Sequence, residues 1–147
     1  IWRLVMLDLS LVRNRLLSQA SNPLRDISIT ANVEEAMRET VQAPRAMLMH
    51  LGEAFGRNAA ASAQVSHMVQ VEFGVLLAVP DLGRRDEKGV LNAPRAFVRR
   101  ALLGWAPDED NGLTAIECRR GQLMAAGPVL WWLDTFATEY IATGAGA

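Results

Sequence analysis

Apolar residues alternate through the middle of the chain. Val65, Val69, Val71, Phe73, Val75, Leu77 and Val79 fall on one face of an extended strand over residues 65–79. The opposite face changes along its length, from Ser66, Met68, Gln70 and Glu72 to Gly74, Leu76 and Ala78. Such a strand is buried on both faces in its second half and keeps one wet or partner-facing side in its first. Its length is roughly 50 Å, against about 5–6 residues for an ordinary strand. Either Gly74 marks a bend or bulge, or the first half projects as one arm of a hairpin.

The flanking pattern places the other elements. Val5, Leu9, Val12 and Leu16 recur at helical spacing and predict a helix over residues 4–19, ended by Asn22-Pro23. Ile27 and Ile29 alternate in a short strand over residues 26–30. Asn32 caps a short second helix, with Glu35 completing a capping-box arrangement. A strand over residues 45–51 and a loop over residues 56–64 lead into the long strand. After a charged loop at residues 80–92, Asn92 reads as the cap of a third helix with Pro94 in its first turn. Pro94, Phe97, Val98, Ala101, Leu102 and Trp105 form its apolar face, and Gly104 and Pro107 end it. An acidic turn at residues 108–112 precedes strands over residues 114–118, 123–126 and 129–141, with a turn at 119–122. Residues 143–147 read as a mobile tail. The order predicts an α+β fold: a mainly antiparallel sheet with two or three helices packed on one face, in a single domain over residues 1–147.

Composition narrows the function classes. The chain has 147 residues, half of them apolar, and a formal net charge of −1. That balance offers no electrostatic hold on nucleic acid or an acidic membrane surface. Lys88 is the one lysine among fifteen basic residues. Arginine suits interfaces better than lysine, although a GC-rich genome gives the same bias. Cys118 is the single cysteine, so an intrachain disulfide or a thiolate zinc cluster within one chain is excluded. The first residues read as an amphipathic helix rather than a signal peptide, and the longest apolar stretch elsewhere is too short for a bilayer. The reading is a soluble cytosolic protein with no membrane contact.

A search for chemistry returns little. No phosphate-binding loop, dinucleotide fingerprint, zinc-protease motif or nucleophile elbow is present. His50 and His67 lie on neighbouring strands without a third ligand at metal spacing, and Cys118 reads as strand filler. The expectation is no catalytic residue, no metal and no cofactor. Arg99-Arg100 and Arg119-Arg120 read as solvated or ion-paired faces. The loop carrying Arg84, Arg85, Asp86, Glu87 and Lys88 is an ordinary charged loop or an assembly loop. Trp131 and Trp132 point to opposite faces of one strand. One can enter the core; the other needs a second layer, water or a subunit interface. The candidate assembly residues are therefore Arg84, Arg85, Asp86, Glu87, Lys88, Met68, Gln70, Trp131 and Trp132.

Three segments together carry a resemblance. They are Phe73-Gly74-Val75-Leu76-Leu77-Ala78-Val79, the helix end Arg100-Ala101-Leu102-Leu103-Gly104-Trp105-Ala106-Pro107, and the tail from Cys118-Arg119-Arg120-Gly121-Gln122-Leu123-Met124 through Val129-Leu130-Trp131-Trp132-Leu133-Asp134-Thr135-Phe136. Over residues 24–140 the chain resembles the small tail terminator proteins of long-tailed bacteriophages. The resemblance implies a homohexameric ring at the head-proximal end of the virion tail, formed in the host cytoplasm. The ring stops polymerisation of the tail tube protein and docks a head-completion or neck protein. DNA passes through its lumen without specific binding. The alternatives are another phage neck or tail-tube subunit, or a small-ligand α+β enzyme or regulator with no recognisable motif. A deep apolar pocket around His50, His67 and Cys118 would favour the enzyme.

Overall fold

The computed structural model describes residues 6–60, 64–81 and 89–145. Their elements run α1 Leu9–Leu17, β1 Asp26–Ile29, α2 Val33–Ala36, β2 Arg45–Phe55, β3 Gln64–Pro80, α3 Gly89–Leu102, a 3₁₀ turn Glu109–Asn111, β4 Glu117–Ala125 and β5 Val129–Ala145. The strands form one sheet in the order β1-β2-β3-β5-β4. Only the β1–β2 pair is parallel, so the expected mainly antiparallel α+β fold is present.

Two layers cover the sheet. On one side, here the helix face, α1 and α3 bury Leu9, Val12, Leu16, Phe97, Val98, Ala101 and Leu102 against Ala46, Leu48, Val71, Phe73, Val75, Leu77 and Phe136. On the far face the short helix α2 adds a second, smaller layer. Ala36, with Val33 and Met37 beside it, packs on Met47, Met49, Leu76, Ala78, Trp131 and Leu133. The four-residue α2 is held at its start by Asn32, whose side chain accepts from the Glu35 amide.

Long strand β3 has the two halves that its pattern predicts. Residues 73–79 are buried on both faces, whereas Ser66, Met68, Gln70 and Glu72 keep an open far face. Gly74 does not mark a bulge. It lies where Leu133 Cδ1 would be 2.8 Å from an added Cβ, and the bulge sits in β2 between His50 and Gly52. Past that bulge β2 continues to Phe55, so the hairpin arm is longer than the expected strand over residues 45–51.

Further boundaries differ from expectation. α1 starts only at Leu9, because Asp8 is extended and its carboxylate accepts from the Ser10 amide. α3 starts at Gly89, and Asn92 lies inside it. Packing of Val90 and Leu91 against Val79, Leu130 and Trp132 extends the helix over the local cap signal and carries Pro94 into its interior. No turn breaks residues 119–122, which are part of β4 with register shifts at Cys118/Arg120 and Leu123/Ala125. Finally, β5 runs on to Ala145, pairing Thr143, Gly144 and Ala145 with Ser66, Val65 and Gln64. Of the tail expected to be mobile, residues 146–147 lie outside the described residues.

Candidate assembly surface

Three strands extend past the end of β1. They are the end of β2, the start of β3 and the end of β5, held by an unbroken β3–β5 ladder from Gln64↔Ala145 to Pro80↔Val129. β1 pairs with β2 only as far as Leu48. Beyond it, residues 50–55 of β2 are exposed. On the far face of this arm Met68 and Ile141 are direct cross-strand partners and are 47% and 56% exposed, an apolar pair open to water. Gln70 lies beside them. Its side-chain oxygen accepts from Arg119, which also bridges Glu117 and Glu139 at 3.4 and 3.6 Å. The arm is therefore an apolar spot framed by an ordered polar network, with half-exposed charges whose net stabilisation is small. Met68 and Gln70 both sit on this open surface, as their side of the alternation requires.

The two tryptophans are placed differently from the rest. Trp131 faces α2 and is 7% exposed within the far-face layer. Trp132 faces α3. Its Nε1 donates to Asp134 Oδ1 at 2.9 Å, and the Arg95 guanidinium stacks 4.2 Å above its ring. Arg95 also bonds both Asp134 oxygens, at 3.2 and 3.3 Å. Asp134 is fully buried and would be prohibitive without these donors. Each indole thus has a layer of its own within the chain, and the α2 layer supplies what the sequence left open. The network at Asp134 was not anticipated; the acidic residue two positions after a tryptophan in a buried strand was its only trace.

The loop with Arg84, Arg85, Asp86, Glu87 and Lys88 lies outside the described residues. The three side chains weighed for chemistry do not converge. His50 is on β2 and Cys118 on β4, with β3 and β5 between them. His67 Nδ1 lies 2.6 Å from the Gly56 carbonyl oxygen, and its ring meets Phe55 edge-on at 5.8 Å. Among the described residues no three His, Cys, Asp or Glu side chains gather as a metal would need. Cys118 is exposed, yet partial desolvation and then the Asp134 carboxylate push its thiol above the ordinary range. No helix of the described residues is long and apolar enough to cross a membrane.

Residues 4–145 match a family model described as phage tail terminator protein. No curated protein matches the chain.

Proposed function

This chain belongs to the phage tail terminator family, and we propose that it forms a homohexameric ring on the head-proximal end of the tail tube. Its role as a structural component of a phage tail follows from the family. In the finer reading, the ring ends polymerisation of the tube protein, then docks a head-completion or neck protein, and lets DNA pass without reading it. Assembly takes place in the host cytoplasm.

One observation from the fold supports this: the three-stranded arm beyond β1, open along its β2 edge and on its far face. A subunit that must contact copies of itself, a tube end and a neck needs several unlike surfaces, and heterologous contacts close into a ring when the rotation permits. The arm and the loop at residues 84–88 are the two candidate surfaces for the tube and the neck. Weak contacts suffice for each subunit, because six of them act together once the ring is closed. Nothing in the net charge of −1 attracts DNA to the lumen, which suits passage without retention.

Imaging of tails labelled on this chain tests the proposal. A six-copy ring at the head-proximal end supports it. A single copy, an isologous dimer, or label along the tube or at the distal tip overturns it.

A further inference from the structure

We infer that neighbouring copies in this ring join edge to edge, the outer edge of β2 in one copy pairing antiparallel with β4 of the next, so that the sheets merge into one closed barrel. The inference rests on the ring reading and specifies its contact.

Among the described residues both edges are bare. Residues 50–55 of β2 and residues 117–123 of β4 are exposed at opposite ends of the sheet order. Unpaired edges template strand addition, and bulges and charges restrict which strand can add. Each edge keeps four regular residues after its bulge: 52–55 in β2 and 120–123 in β4. The chain directions suit pairing. β2 and β5 run one way, β3 and β4 the other. Rotation about an axis along the strands preserves those directions, so β4 meets the next β2 antiparallel, with helix face beside helix face.

The register follows from three constraints. Matching faces puts Glu53, the partner of Val71, beside a helix-face residue of β4: Cys118, Gly121 or Leu123. Glu53 lies level with Thr138 through Val71, and Gly121 level with Asp134, so pairing them staggers the sheet by 138 − 134 = 4 residues. That is one residue per strand across β2, β3, β5 and β4, the ratio that tilts barrel strands by about 36°. The next face-matched registers, two residues either way, give tilts from strand rise and spacing of about 20°, well outside the roughly 35–45° of closed barrels, or about 46°, at its upper limit. The third constraint is independent. At a stagger of four, Ala125, level with Trp131, arrives beside Met49, one residue past Leu48 where β1 stops. A stagger of two would drive it into β1.

This register fits the side chains. Gly52 and Ala54 lie beside Gln122 and Arg120, small against large. Glu53 lands over Gly121 on the face that carries Arg99, whose Nε is buried and has no acceptor among the described residues. Phe55, half exposed, lands beside Cys118.

The last pair supplies the test. Cβ atoms directly opposite on adjacent strands are about 4.5–5.5 Å apart, within small backbone adjustment of a disulfide. Oxidation of assembled Phe55→Cys protein should move most of the chain into a ladder of covalent multimers that ends at the ring's copy number. Wild type, with one cysteine, stops at a dimer, and Phe55→Cys/Cys118→Ser gives no ladder. Because Phe55 packs on His67, a second pair is made as Ala54→Cys/Arg120→Cys in the Cys118→Ser background, and it should ladder likewise. If imaging shows the ring and neither variant ladders, the strand pairing is overturned and the ring stands. If neither ladders and particles hold a single copy, both fall.

Discussion

Replacing Gly121 with alanine tests the close packing of the α3–β4 side of the sheet. A Cβ at this position would lie 2.7 Å from Asp134 Oδ1, 2.9 Å from Trp132 Cζ2 and 3.0 Å from its Nε1. None of these atoms can yield freely. Asp134 is fully buried and held by Arg95 and the Trp132 indole, while the indole is pinned beneath Arg95. Overpacking of a filled site costs about 1–3 kcal/mol, and weakening a hydrogen bond to a buried charge adds about 1.5–3 kcal/mol. A destabilisation of about 3 kcal/mol is the expected result, or roughly 6–12 °C in Tm for a chain of this size. Gly127→Ala is the control. Nothing lies within 4 Å of its added Cβ, so its melt should match wild type. Urea denaturation gives the free energy and should show an unchanged m-value. If Gly121→Ala melts with Gly127→Ala, residue 121 has room for a side chain, and both the close approach and the continuous strand through residues 119–122 are wrong.

Both Trp131→Ala and Trp132→Ala should destabilise the fold by about 3–5 kcal/mol, since each indole has its own layer; melts in which one variant matches wild type would contradict this. Arg84→Glu with Arg85→Glu should leave the melting temperature unchanged and reduce joining of tails to heads in an in vitro complementation assay. Cys118 should alkylate slowly at neutral pH for an exposed thiol, with a rate midpoint above that of free cysteine, because desolvation and the Asp134 carboxylate disfavour the thiolate; a midpoint below the free value would show that a cation dominates its surroundings.

How much of this was legible in the sequence depended on whether an element's faces differ. β3 was readable because one face is apolar except at His67 and the other changes character at Gly74. α2 was readable from Asn32 and Glu35, a purely local signal. β4 was not, because an edge strand exposed on both faces has no alternation, and its bulges shift the phase twice. Arg119-Arg120-Gly121-Gln122 therefore resembled a turn, whereas Gly121 is there for lack of a Cβ. The start of α3 was missed because Val90 and Leu91 gain more from Val79, Leu130 and Trp132 than Asn92 gains as a cap. For the tryptophans, strand alternation gave the opposite directions correctly. It could not show that the four-residue α2 would cover the far one. The open position of Met68 was legible because an exposed apolar residue in a polar stretch is visible in a strand of known phase.

The central claim is that this chain ends tail growth and prepares the tail for a head. Electron microscopy of lysates from a phage lacking this gene tests it. The expected picture is tubes of uncontrolled length beside unattached, DNA-filled heads, restored to uniform joined tails by the gene supplied in trans. Tails of normal length joined to heads in the absence of the gene would contradict the claim.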